Sequence, residues 1–297
     1  MSTLSKLNIY LFVPGFVFHN VSTSTLGWST MGGIVGMTLL QVITLGLLVW
    51  GIGKTLRVQH KTLAAIALAV MFYNSGNYGL PLADLAFHSR GAAVQAFVMM
   101  TQNILTFTIG LGIAAWAGAG GFASGIATLF RLPILPTLAA ALLGKWWIHR
   151  GGGFHPLPPA IAQTAQYVSN GMVPLALATV GAQLAGNPRW PRWRPVSMVL
   201  VLRLLLGPIQ MAALLWLLHE LATWFPGSQT LVAMDLWPWP AQLLILTASV
   251  PTAVNTLLLT MELDGDADLA ADCVFWTTIA SCITIPIWLV VGHKTFG

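Results

Sequence analysis

The sequence predicts an all-α integral membrane protein made of two inverted repeats, each with one broken helix. Three observations carry this. First, 7% of the residues are charged and 56% are hydrophobic, whereas a soluble domain carries roughly 25% charged residues and still needs a polar surface. Second, the chain divides into nine apolar runs, each near the roughly 20 residues that a span requires. Third, two of these runs, at matched places in the two halves, are interrupted by proline together with asparagine, serine or threonine.

The first run covers about residues 4–22, with Pro14 inside it. The second covers 30–52 and carries Gly32-x-x-x-Gly36, a close-packing pattern that is weak alone. The third, 62–87, contains the first interruption, Asn74-Ser75-Gly76-Asn77-Tyr78-Gly79-Leu80-Pro81. Two glycines and a proline in eight residues break a helix. The fourth run is 92–116 and the fifth 126–148. The sixth, 159–185, holds Pro174, and the seventh is 196–219. The eighth, 239–261, contains the second interruption, Ala248-Ser249-Val250-Pro251-Thr252-Ala253-Val254-Asn255, and the ninth is 268–292.

The runs repeat. Phe12-Val13-Pro14 resembles Met172-Val173-Pro174, and Pro81 matches Pro251. Each broken run leads through a polar link into a last run rich in Thr and Ala. This divides the chain into a first repeat, 1–117, with four helices, and a second, 124–297, with five. Nothing in the first half corresponds to run 126–148. The uneven count leads to the expectation that a first helix is absent through truncation or a misplaced start, with a protein that works with nine spans as the alternative.

The net charge of +5 rests on 13 basic and 8 acidic residues. So few charges read as topology signals rather than as a nucleic-acid surface. Lys6, Lys54, Arg57, Lys61, Arg131, Arg189, Arg192 and Arg194 fall on one side, and Arg90, Lys145, Arg150 and Lys294 on the other. The positive-inside rule makes the larger set cytoplasmic. Lys6 precedes an apolar start, but no small-residue cleavage site follows, so a retained span is favoured over a signal peptide.

Several motifs have bland readings. Gly51-Ile52-Gly53-Lys54-Thr55 resembles the tail of a P-loop, but Leu48 stands where a glycine is needed and no strand precedes it. Asp264-Gly265-Asp266-Ala267-Asp268 resembles the start of a calcium loop, but Leu269 and Phe275 occupy its glycine and glutamate positions. An acidic first turn capping the last helix explains it better. Cys273 and Cys282 would stand about 13 Å apart on one helix, too far for a disulfide, and have no metal-binding partners. No zinc-protease motif or nucleophile elbow is present, so neither an enzyme, a metal site nor a cofactor is expected.

The interruptions carry the sharper signal. A broken helix exposes backbone polar groups that need partners inside a membrane. Each half-helix N-terminus carries roughly +0.5 of a charge, and two such ends facing one cavity attract an anion. Asn74, Asn77, Tyr78, Pro81, Pro251, Thr252 and Asn255 form the expected substrate site, their amides and hydroxyls bonding either a carboxylate or the exposed backbone. Asn170 and Gln183 in the sixth run are open to either use. Gln102, Asn103 and Gln210 are further polar residues within spans. Arg203 lies too deep for easy snorkelling, and pairs either with a substrate anion or with carbonyls of a broken helix. No acidic residue sits near mid-membrane, so strong proton coupling is not evident.

These residues resemble the auxin efflux carrier family, which includes plant auxin carriers and bacterial organic-acid permeases. Leu4-Ser5-Lys6-Leu7 through Pro14 is similar to the family's second helix. Asn74 to Pro81 is similar to its first crossover, Gly171-Met172-Val173-Pro174-Leu175-Ala176-Leu177 to the start of its second mobile segment, and Val250 to Asn255 to its second crossover. The resemblance implies ten helices in two inverted five-helix repeats, a crossover of broken helices and elevator-like alternating access. It also implies a homodimer and carriage of carboxylate anions. The long cytoplasmic loop of many plant members is absent, so loop regulation and auxin itself are not carried over. The expected function is therefore a secondary transporter or facilitator of small organic anions in the plasma (inner) membrane. A sodium-coupled symporter of bile-acid-carrier type and a non-transporting sensor or structural protein are the alternatives.

Overall fold

The structure, a computed structural model, describes residues 7–117, 133–150, 156–184 and 190–296. These residues are nearly all helical, with no β-strand among them. A π-helical turn, Asn8–Phe12, opens into α1 (Val13–Ser22). Pro14 sits in the first turn of α1, directly after the π turn. Then come α2 (Trp28–Thr55), α3 (His60–Met71) and α4 (Gly79–Leu105). A second π turn, Thr106–Gly110, leads into α5 (Leu111–Ala117). The second half holds α6 (Ile134–His149), α7 (Pro159–Leu184) and α8 (Trp193–Leu200). A third π turn, Val201–Leu206, joins α8 to α9 (Gly207–Trp224). The chain ends with α10 (Gln229–Met234), α11 (Ala241–Ala248), α12 (Val254–Glu262) and α13 (Ala267–Phe296).

Among the described residues, four stretches are long and apolar enough to cross a membrane: Trp28–Thr55, Arg90–Ala117, Trp193–Trp224 and Ala267–Gly292. They match the second, fourth, seventh and ninth expected runs. The third and eighth runs are cut by their interruptions into shorter helices, of which His60–Met71 is itself apolar. The first and fifth runs begin in residues outside the described ones, as does the boundary between the two expected repeats.

The polar link between the third and fourth runs holds a sharp break within α4, where two helical segments meet at His88 (φ 52°, ψ −148°). One local expectation differs: the Gly32–Gly36 face of α2 does not pack closely, since a Cβ on Gly32 would meet nothing within 4 Å. The close approach is at Gly33, whose Cβ would lie 3.0 Å from the Met234 carbonyl oxygen, so the tight contact is with α10 and its following loop.

Helix α1 packs against α6 and α7. Asn20 Nδ2 donates to Ser169 Oγ (3.2 Å), and the buried Lys145 ammonium donates to the Ser24 carbonyl. The other helices pack around α3, α4, α11 and α13, and α4 also touches α1, α6 and α7. Both cysteines are free.

Charged residues from the start of α3, the residue before α8 and the turn between α12 and α13 converge at one end of the molecule. Lys61 pairs with Asp264 (3.0 Å) and Arg192 with Asp266 (2.5 Å), while Thr62 donates to Asp266 (3.3 Å). This agrees with Lys61 and Arg192 sharing one side. Lys6, Arg131 and Arg189 lie outside the described residues. Asp266 Oδ1 also accepts from the Leu269 N–H (3.2 Å), as expected for an acidic helix start. Burial pushes the Asp266 carboxyl up, but the bonds from Arg192, Leu269 and Thr62 outweigh it and hold it below its ordinary value.

Candidate functional site

The two interruptions meet. Residues 72–78 separate α3 from α4, and residues 249–253 separate α11 from α12. Tyr73 and Thr252 form an antiparallel bridge. The Asn74 N–H donates to the Pro251 carbonyl (2.8 Å), and the Ala253 N–H donates to the Phe72 carbonyl (3.0 Å). Each break thus satisfies backbone groups that the other leaves open, which is what an apolar medium demands of non-helical chain.

Side chains complete the clasp. The Thr252 hydroxyl donates to the Ala69 carbonyl (2.9 Å), and the Thr252 N–H donates to Thr277 Oγ1 on α13 (3.1 Å). Gln95 on α4 is fully buried. Its Nε2 donates to the Ser75 carbonyl (2.8 Å) and its Oε1 accepts from the Thr247 hydroxyl on α11 (2.7 Å), so one amide ties both breaks together. Gly79 leaves room for it: a Cβ there would lie 2.4 Å from Gln95 Nε2.

Of the two uses left open for Arg203, bonds to carbonyls of the broken helices are present. Its guanidinium is fully buried and donates from Nη1 to the Val70 carbonyl (2.7 Å) and from Nη2 to the Ala248 carbonyl. It also lies over the Tyr73 ring at 4.7 Å. Val70 and Ala248 stand at the C-terminal ends of α3 and α11, the negative ends of both first half-helices. One cation therefore caps two broken helices. The π turn that carries Arg203 precedes Gly207 and Pro208. There the Trp288 indole N–H donates to the Leu204 carbonyl (2.9 Å) and Gln41 Nε2 to the Gly207 carbonyl (3.3 Å). A Cβ on Gly207 would sit 3.0 Å from Arg203 Nη2 and 3.2 Å from the Ala248 oxygen, so glycine lets the guanidinium reach.

The opposite, positive ends differ from each other. In α4 the first N–H groups are already engaged: Gly79 donates to the Asn74 carbonyl, Leu80 to Gly76 and Leu82 to Tyr78, while Pro81 has none to give. In α12 no side chain caps the start, and the N–H groups of Val254 and Asn255 find no acceptor among the described residues. The expectation of two equivalent helix ends therefore becomes one self-satisfied end and one open end. Asn255 is half-buried and its Nδ2 donates to Asn103 Oδ1 on α4 (3.4 Å). Tyr78 is half-buried and its hydroxyl accepts from Ser281 on α13 (3.2 Å). Asn77 is half-buried beside it, whereas Asn74, Pro81 and Pro251 are buried.

A family model described as membrane transport protein matches residues 1–289. The chain belongs to that family, the auxin efflux carriers. An uncharacterized transporter of Methanothermobacter thermautotrophicus is 30% identical over 299 residues, covering 98% of this chain and 88% of its own length. One of Methanocaldococcus jannaschii is 25% identical, covering 96% and 87%. A candidate malonate transporter of Rhizobium meliloti is 24% identical, covering 96% and 85%. The family and these relatives are transporters rather than enzymes, and the apolar helices make the chain a multi-pass membrane protein.

In this efflux-carrier chain, Asn170 is exposed on α7, next to the Ser169 that bonds Asn20 of α1. The Gln183 side chain lies outside the described residues. The Thr252 hydroxyl serves the backbone of the breaks. Gln95, Thr247 and Thr277 were not legible as site residues. Only their position in apolar runs marked them, and threonine is common in such runs because it can bond its own helix, as Thr101 does to Phe97.

Proposed function

We propose that this family member is a secondary transporter or facilitator of small organic carboxylate anions, which bind where the two breaks meet. The open N-terminus of α12 carries the reading. Val254 and Asn255 offer N–H groups without acceptors, while Arg203 covers the negative helix ends on the other side of the breaks. The local balance is positive without an uncapped cation, which suits a carboxylate. Asn255, Asn103, Asn77 and Tyr78 supply polar groups around this end.

In the proposed architecture the halves are inverted repeats and the paired breaks are the crossover. Helices α1, α6 and α7 form the static part, which takes residues 171–177 of α7 out of the mobile segment that the resemblance implied, and the helices around the breaks move against them as an elevator. The grouping of α1 with α6 and α7 supports this division. The protein would act as a homodimer in the plasma (inner) membrane. The malonate assignment of the Rhizobium meliloti relative makes a short dicarboxylate the first substrate to try.

The experiment is uptake of labelled malonate, and of a panel of monocarboxylates, into proteoliposomes with and without a sodium gradient. Saturable flux that ignores sodium is expected. Asn255→Ala should reduce it at least tenfold while the protein keeps its melting temperature, since a lost hydrogen bond to a charged group costs about 1.5–3 kcal/mol. Full flux in Asn255→Ala and Asn77→Ala alike would refute the site.

A further inference from the structure

A second feature lies away from the breaks, on the outer flank of α2. An apolar groove of about 530 Å³ runs between α2, α3 and α5. Ile43, Leu47 and Trp50 of α2, Ala67 of α3, and Ile113 and Trp116 of α5 line it. On the other side of Leu47, α2 presents an open apolar face formed by Leu48, Gly51, Ile52, Thr55 and Leu56. The groove and this face meet at Leu47 and both run toward the C-terminal end of α2.

That end is basic. Ile43, Leu47, Trp50 and Lys54 recur at helical spacing, so Lys54 continues the groove-lining stripe one turn beyond Trp50. Its ammonium lies 4.0 Å over the Trp50 ring. His60, at the start of α3, meets the Trp116 ring edge-on at 4.7 Å. Arg57 stands between them in the turn. The two tryptophans and the basic residues together mark a membrane interface.

The turn itself carries strain. Val58 N–H donates to the Gly53 carbonyl (3.0 Å) and Arg57 N–H to the Lys54 carbonyl (3.2 Å), the pattern of a helix stop that favours glycine. Arg57 occupies the left-handed position instead, with φ 52°. A side chain there costs roughly 1–2 kcal/mol. Lys54 and Arg57 have no acidic partner among the described residues. The nearby acids Asp264 and Asp266 are engaged by Lys61 and Arg192. The stretches that line the groove, 43–71 and 106–117, contain no Asp or Glu.

We propose that this face is a binding site for one anionic diacyl phospholipid. One acyl chain lies in the groove and the other along the open α2 face beyond Leu47, and the headgroup phosphate lies between Lys54 and Arg57. A groove and an adjoining apolar face that meet at two cations without acidic partners among the described residues match the shape and charge of such a lipid. A sterol or a single fatty acid would leave one of the two uncovered.

The test is lipid retention. The full-length protein is reconstituted into nanodiscs of equimolar phosphatidylglycerol and phosphatidylcholine, extracted in mild detergent, and its retained lipid measured by native mass spectrometry. Each basic residue at such a surface favours an anionic lipid about fivefold, so the wild type should retain phosphatidylglycerol about 25-fold over phosphatidylcholine. The double variant Lys54→Gln/Arg57→Gln should bring the ratio near one. Lys61→Gln, whose lysine is already paired with Asp264, should leave the ratio unchanged. Equal retention of the two lipids by the wild type would overturn the proposal, as would an equal drop in Lys61→Gln, which would mean diffuse surface charge. A disulfide-linked dimer formed in the membrane by Leu47→Cys/Cys282→Ser would also overturn it, by placing a second copy on the groove.

Discussion

Arg203→Met removes the cation that caps both first half-helices and keeps much of its apolar stem volume. The guanidinium makes two charge-assisted hydrogen bonds, to Val70 and Ala248. Each such bond contributes about 1.5–3 kcal/mol, and each carbonyl left without a donor loses that amount. An offset comes from no longer burying a charge whose Nε has no partner. The net loss should be about 2–4 kcal/mol, which for a chain of this size is a fall in melting temperature of roughly 5–15 °C. The assay is thermal unfolding in detergent followed by tryptophan fluorescence, paired with malonate flux. Arg203→Lys keeps the charge but not the planar fork, so it should bond one carbonyl and lose about half as much. A melting temperature within about 1 °C of wild type for Arg203→Met would refute the capping role. If that variant also lost substrate-induced stabilisation, Arg203 would belong to the anion instead.

Other consequences follow from the same contacts. Gln95→Leu leaves the Ser75 carbonyl and the Thr247 hydroxyl without partners, so unfolding should become easier by about 1–3 kcal/mol, with flux falling as the two breaks lose their shared amide. Gly79→Ala drives a methyl group into Gln95 and should cost about 1–3 kcal/mol in a melting experiment, but little when added to Gln95→Ala, where the clashing amide is already gone. Asp266 has a folded-state pKa below its ordinary value. Its contribution is therefore complete above the usual carboxylate range and is lost as pH falls through the folded value. Melting curves between pH 6 and about pH 3 should show the wild type converging on Asp266→Asn at the acid end, by less than about 1 kcal/mol because Arg192 is half exposed.

The membrane class, the positions of the long spans and the two interruptions were legible because they rest on composition and local chemistry. Low charge excludes a water-facing surface, and proline with glycine ends a helix whatever surrounds it. Tertiary structure decided which partners these pieces take. Asn74 and Pro251 are 177 residues apart, and nothing local says that an N–H of one meets the carbonyl of the other. The same applies to Gln95, which is polar in an apolar run yet gains its role only where Ser75 and Thr247 arrive on either side. Arg203 was visible as a buried charge, but its two possible uses had the same sequence. Only the approach of the α3 and α11 C-termini, permitted by Gly207, brings the Val70 and Ala248 carbonyls to it. The inequality of the two helix ends had the same origin. Both interruptions offer free N–H groups when read alone, and the path of residues 74–78 folds back to use those of α4 while leaving those of α12 open. Sequence determined where the helices stop, because that is set by each residue's own backbone and side chain. Tertiary structure determined which of the freed groups remain for a ligand, because hydrogen bonds inside a membrane are allotted among everything that reaches them.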